Sequence, residues 1–252
     1  MIGISCTNFC NRPFTDWVER ISSEFGHWEI FSEAEMDVTR DTDGLKDLLS
    51  SYNLSLSLHT PICDMNVAAL TETLRLASLK VLEDNIRAAT KLGIEVITVH
   101  PGLSSMAVSG TESMALARVK VSMRELDRYA DEYGVILAIE NMPNLPMFLG
   151  RTAEQLHEIV DGTDLSICYD IGHAYTMSQN EDMERLLGDR VVNVHIHDNN
   201  GQKDEHLTIG DGSIDFDRVL HSMSGYSRNF IIEARSFESG SESQSRLRNM
   251  LS

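Results

Sequence analysis

Short apolar runs rich in Val, Ile and Leu alternate along this chain with longer stretches of helical period. Eight such runs occur, at Ile2–Cys6, Trp28–Ser32, Leu54–His59, Val96–His100, Val135–Glu140, Leu165–Asp170, Val191–His197 and Asn229–Glu233. A strand buried on both faces needs a continuous apolar run, whereas a strand with one wet face alternates, so these read as strands of a parallel sheet. Between them the pattern predicts eight helices, near 14–24, 43–51, 71–92, 112–133, 152–161, 181–187, 215–223 and 239–250. In the third of these, Leu70, Leu74, Ala77, Val81, Ile86, Ala89 and Leu92 recur at helical intervals, with Glu72, Arg75, Lys80 and Arg87 between them. Thr71 and Thr111 read as helix starts, and Gly93 and Gly134 as stops. Eight strand–helix units in 252 residues predict an α/β chain folded as one (βα)8 TIM-barrel domain over 1–252. A doubly wound sheet would show fewer strands and a nucleotide loop, and neither GxGxxG nor GxxxxGK[ST] is present.

Charge narrows the partners. The chain has 21 Lys plus Arg against 39 Asp plus Glu, a formal net charge of −18, which opposes attraction to phosphate backbones and anionic membranes. No apolar run approaches the roughly 20 residues of a bilayer helix, and Met1-Ile2-Gly3 starts without a basic segment. Four scattered cysteines without a CxxC pair read as reduced thiols, so a cytoplasmic location with no membrane contact is the expectation.

The apolar runs end in residues that bind metals. His59, His100, Glu140, Asp170 and Glu233 close their runs, and His195 lies within the seventh. In a barrel these C-terminal ends converge on one concave face, where active sites sit. Strand parity turns them inward, since Ala138 shares a face with Glu140, Asn193 and His197 share one with His195, and Ile231 shares one with Glu233. Two loops add His173, three residues after Asp170, and the pair Asp204 and His206. His27, His157 and His221 read as peripheral. A single His or Asp at a strand end is usually a cap, but nine at one mouth are different. Burying Glu140, Asp170 and Glu233 without cations costs several kcal/mol per unpaired carboxylate, and Arg235 is the nearest counter-charge. Imidazole and carboxylate without sulfur suit Zn²⁺, Mn²⁺, Fe²⁺ or Co²⁺ and exclude a cysteine-type structural zinc.

The segments His59-Thr60-Pro61, His100-Pro101-Gly102, Glu140-Asn141, Asp170-Ile171-Gly172-His173, His195-Ile196-His197-Asp198, Asp204-Glu205-His206, Ile209-Gly210-Asp211-Gly212 and Glu233 resemble the xylose isomerase-like superfamily of TIM barrels. That superfamily holds sugar isomerases and epimerases together with apurinic-site endonuclease IV. In the endonuclease arrangement the resemblance implies one metal on His59, His100 and Glu140, a second on Glu140, Asp170, His195 and Glu233, and a third on His173, Asp204 and His206. In the epimerase branch it implies a single metal on the second set. Between one and three divalent ions, Zn or Mn, are therefore expected.

Two readings follow. The first is a metal-dependent sugar or sugar-phosphate isomerase or epimerase working through a metal-stabilised enediolate. Glu140 and Glu233 would act as general base and acid, with His197, Asp198 and Arg235 contacting substrate hydroxyls or phosphate, and the partner would be a small carbohydrate. The second is a zinc-dependent phosphodiester hydrolase acting at abasic sites, the only reading with a nucleic-acid partner. Against it, Ile62 stands where family endonucleases carry an aromatic residue that enters the minor groove, and the loops Thr7–Thr15 and Ser32–Thr42 offer only Arg12 and Arg40 as cations.

Overall fold

Eight parallel strands pair in chain order and the last pairs with the first, which leaves no free sheet edge. The structure, a computed structural model, describes residues 1–251. The strands are β1 (Ile2–Ser5), β2 (His27–Phe31), β3 (Ser55–His59), β4 (Val96–Val99), β5 (Ile136–Glu140), β6 (Ser166–Asp170), β7 (Val191–Ile196) and β8 (Phe230–Glu233). Around them run α1 (Val18–Glu24), α2 (Thr42–Leu49), α3 (Glu72–Leu92), α4 (Glu112–Tyr133), α5 (Ala153–Val160), α6 (Ile171–Thr176), α7 (Asn180–Leu187), α8 (Phe216–Ser222) and α9 (Phe237–Met250). The register sets Ser5 opposite Glu233 where the barrel closes, and Asp170 opposite His195. This is the expected TIM barrel, and no helix of the described residues is long and apolar enough to cross a membrane.

Three local expectations needed correction. Nine α-helices are described rather than eight, because α6 follows β6 directly. Asp170 caps it by accepting the His173 N–H at 2.6 Å, so a presumed loop closes into a turn of helix. The first predicted helix is split: Trp17 donates its indole N–H to Phe9 O and stacks on Phe9 at 4.3 Å, and α1 starts only after it. The apolar stripe expected on α3 holds at Ile86 and Ala89 but not at Leu74, Ala77 and Val81. Leu74 and Val81 face solvent, whereas Leu79, Leu82, Ile86 and Ala89 are buried beside Arg75, Ser78 and Asn85. Arg75 takes that place because Glu72, Ser122 and Glu125 satisfy its guanidinium.

His27 lies away from the mouth, as expected, yet it is a core residue. It opens β2 at the N-terminal end of the barrel, buried, with its two ring nitrogens each 2.8 Å from the hydroxyls of Ser55 and Ser57. Burial pushes its pKa down to about 4. The unfolded chain therefore takes up this proton near pH 6.5 while the folded chain refuses it until about pH 4. Stability is lost as the pH falls through that window, by on the order of 3 kcal/mol from this group. Urea unfolding at pH 7 and pH 4.5 should show a smaller pH-induced loss in His27→Asn than in the native chain. An equal loss in both would refute this account.

Candidate metal centre

The inward positions of adjacent strands converge at the C-terminal mouth. Donor atoms of His59, His100 and Glu140 lie within 4.8 Å of one another, as do those of Glu140, Asp170, His195 and Glu233, and those of His173, His197, His206 and Glu233. The first two groups are the sets the resemblance implied. The third contains His197 and Glu233, with the expected Asp204 alongside: its oxygens lie 3.0 Å from His206 Nε2, 3.3 Å from His173 Nε2 and 3.5 Å from His197 Nε2. The structure thus brings all nine expected ligands to one mouth.

Glu140 is the hub. Its Oε2 lies 3.2 Å from His59 Nε2 and 2.9 Å from His100 Nε2, and its Oε1 lies 3.0 Å from His195 Nδ1. Glu233 approaches that same His195 nitrogen at 3.1 Å. The backbone decides which nitrogen each ring turns toward the acids. His59 Nδ1 lies 2.8 Å from Thr60 O and His173 Nδ1 lies 2.9 Å from Asn141 O, so these nitrogens carry the protons and donate. In the neutral rings Nε2 then presents a bare lone pair to a carboxylate. Only a second proton or a cation relieves that repulsion.

A divalent cation fits these residues. Asp170 Oδ2, Asp204 Oδ1 and both ring nitrogens of His197 are buried without a hydrogen-bond partner. Among the described residues no Lys or Arg pairs with Glu29, Glu140, Asp170, Asp204 or Glu233, whose ionic contacts are all to histidines. Buried acids without such partners are what a cation neutralises.

Around His173, His195 and His206 the carboxylates favour the protonated ring, whereas burial holds His100 below the ordinary histidine range. Burial drives His173 and His195 down, but the surrounding carboxylates outweigh it and hold both well above the ordinary histidine range. His206 is pushed up to about 9, the hydrogen bond to Asp204 overcoming burial. In return these imidazoles hold Asp204 and Glu233 far below the usual carboxylate range despite burial. A cation has to displace the protons, so its affinity should rise with pH between 6 and 9, about tenfold per unit for each proton released. Titration calorimetry with Zn²⁺ or Mn²⁺ in buffers of different ionisation enthalpy measures the release, and a pH-independent affinity would contradict this picture.

Two further residues hold the centre: Glu29, not singled out in the sequence, and Asn141, noted there only as part of a motif. Glu29, on β2, is fully buried; its Oε1 lies 2.6 Å from His195 Nε2, and its Oε2 accepts from Ser57 Oγ at 2.8 Å and Asn193 Nδ2 at 2.7 Å. The ring of His195 is therefore gripped from behind by a carboxylate while Nδ1 faces the cation position, the arrangement that orients metal-ligating histidines. Its signal was an acid embedded in the apolar run Trp28–Ser32. Asn141 clamps β5 to β6 by accepting the Asp170 N–H and donating to Asp170 O.

The expected substrate contacts separate. Beside the centre lies a cavity of about 310 Å³ lined by Ser5, Cys6, Thr7, Asn8, His206, Glu233, Ala234 and Arg235. Arg235 is exposed there, and no ion pair engages its guanidinium among the described residues. Asp198 does not face the cavity: it is buried, and its oxygens accept the N–H groups of Asn199, Gly210, Gly212 and Ile214 at 2.8–3.2 Å. Its hydrogen bonds pin the loop that carries Asp204 and His206. His197 is also buried, stacked on His206 with centroids 4.0 Å apart. His206 itself is held at φ +46°, a left-handed conformation that non-glycine residues rarely adopt.

Comparison with known proteins places this geometry. An uncharacterized protein of Methanocaldococcus jannaschii is 34% identical over 99% of this chain and 88% of its own length. A crystal structure described as a D-tagatose 3-epimerase-like protein is also 34% identical, with a TM-score of 0.92 over 99% of this chain and 96% of that one. A probable endonuclease 4 of Methanosphaera stadtmanae is 26% identical over 71% of this chain and 70% of its own length. The model of the xylose isomerase-like TIM barrel matches residues 21–250, and the chain belongs to that family.

Proposed function

We propose that the protein is a divalent-cation-dependent isomerase or epimerase of small sugars or sugar phosphates. The observation that carries this reading is the pair Glu140 and Glu233, brought from β5 and β8 to the same nitrogen of His195 at the edge of a cavity that contains Arg235. A Zn²⁺ or Mn²⁺ ion held by Glu140, Asp170, His195 and Glu233 would polarise a carbonyl and its neighbouring hydroxyl, making the C–H between them acidic. One carboxylate takes that proton as the C–H electron pair moves toward the carbonyl oxygen. The other returns a proton, to the opposite face for epimerisation or to the adjacent carbon for isomerisation. Arg235 meets the phosphate or hydroxyl end of the substrate. The 34% identity to a chain described as D-tagatose 3-epimerase-like supports the same reaction class.

The test is exchange of substrate hydrogen with deuterated solvent across a panel of ketoses, aldoses and their phosphates. Uptake at the carbon beside the carbonyl, lost on chelation, is the expected result. No uptake on any member by metal-loaded protein would overturn the proposal.

The two further donor groups favour a second reading, phosphodiester hydrolysis at abasic sites with up to three cations. The first two loops oppose it, since Arg12 and Arg40 are their only cations and both stand among acids, Asp16 and Glu35 with Asp37. Incision of an abasic oligonucleotide by the metal-loaded protein decides for hydrolysis, and an intact oligonucleotide decides against it.

A further inference from the structure

His197 stands two residues beyond His195 and turns to the same inward side. Its ring is buried, and neither nitrogen has a hydrogen-bond partner. Nε2 lies 3.2 Å from Asp170 Oδ1 and 3.5 Å from Asp204 Oδ1, yet no hydrogen bond forms at either contact. Asp204 has an unpartnered oxygen of its own. The fold also makes room for this ring: a Cβ on Gly172, at the start of α6, would lie 2.1 Å from it. A buried imidazole beside a buried carboxylate, neither satisfied, is a donor set without its acceptor.

We propose that His197 is a ligand of the divalent cation held by His173, Asp204 and His206, so that three imidazoles and a carboxylate, all from the protein, surround it. This inference rests on the metal-binding reading above. The donor atoms of the three imidazoles lie within 4.8 Å of one another, and the Asp204 oxygens stand 3.0–3.5 Å from each. Glu233 reaches the same group, but it is already a donor of the neighbouring one.

The fourth ligand changes what this position does. Three protein donors leave a tetrahedral cation one place for water, as in catalytic zinc sites, and four protein donors close it. The cation becomes a fastener: it ties the loop that carries Asp204 and His206 to α6 and β7, and it holds His206 in its left-handed conformation. Proton chemistry is then confined to the group of Glu140, Asp170, His195 and Glu233.

The experiment loads protein labelled with ¹⁵N in its histidines with ¹¹³Cd²⁺ and reads the coupling of each ring nitrogen to cadmium by NMR, with His197→Gln assigning the His197 resonance. Coupling at both His195 and His197 is the expected result. Coupling at His195 but not at His197 overturns this inference and leaves the proposed function standing. Coupling at His197 but not at His195 upholds this ligand and counts against the proposed function, and coupling at neither overturns both. In the same protein, His197→Gln should release one cadmium ion per chain to EDTA roughly 10–100-fold more readily than the native chain, no less than loss of an outer-shell partner would cause. Equal retention overturns the inference.

Discussion

The Glu140→Gln variant is expected to bind no cation in two of the three donor groups and to lose at least about 10³-fold in exchange activity. Glutamine keeps the shape of the side chain and one acceptor oxygen, so the change is one of charge and basicity. Glu140 belongs both to the group with His59 and His100 and to the group with Asp170, His195 and Glu233, so a single substitution disables both. It also leaves the imidazoles of His59 and His100 without the anion they face, and takes from His195 one of the carboxylates around it. Elemental analysis after dialysis against limiting Zn²⁺ or Mn²⁺ measures the first effect, and solvent exchange the second. A variant that retains the native metal content would remove Glu140 from the centre.

The Glu29→Ala variant should lower cation affinity about 10–100-fold although Glu29 is no ligand. Three donors converge on its carboxylate, from His195, Asn193 and Ser57, and all lie inside the barrel. Removing the acceptor leaves them buried and unmatched, which costs on the order of 3–5 kcal/mol of stability in addition to the metal effect. Glu29→Gln separates the two effects. Its amide oxygen can still receive the His195 N–H, so it should recover part of the affinity, whereas a role in packing alone would let Glu29→Gln, nearly isosteric with Glu, bind metal as tightly as the native chain. Competition with a chromophoric chelator gives the affinity, and urea unfolding of the metal-free protein gives the stability.

Much of this centre could be read from the chain because β-strands impose a period of two and a barrel directs every strand end to one place. His59, His100, Glu140, Asp170 and Glu233 announce themselves by terminating apolar runs, and the closed eight-strand barrel then makes neighbours of residues as far apart in sequence as Glu140 and Glu233. The same logic fails where a residue acts in the middle of a strand. Glu29 sits below the mouth, where an apolar run hides it and only the three-dimensional structure reveals its partners, Asn193 among them. Loops fail for another reason. Asp198 was expected to contact substrate, but four backbone N–H groups of its own loop claim its carboxylate, and no spacing rule foretells that folding. On α3 the expected stripe held at Ile86 and Ala89, but Leu74 and Val81 are exposed while the polar Arg75, Ser78 and Asn85 are buried, which an apolar periodicity does not register.

TIM barrels usually divide their labour, with one end tuned for stability and the other for chemistry. The contacts from His27 to Ser57, from Ser57 to Glu29 and from Glu29 to His195, each 2.6–2.8 Å long, join the two ends of this one by a polar spine through the middle of the cylinder. Floor and ceiling are therefore not independent territories. A substitution made at the base to toughen the protein would be felt in how firmly His195 is aimed, and efforts to harden this scaffold should start on its outer ring of helices.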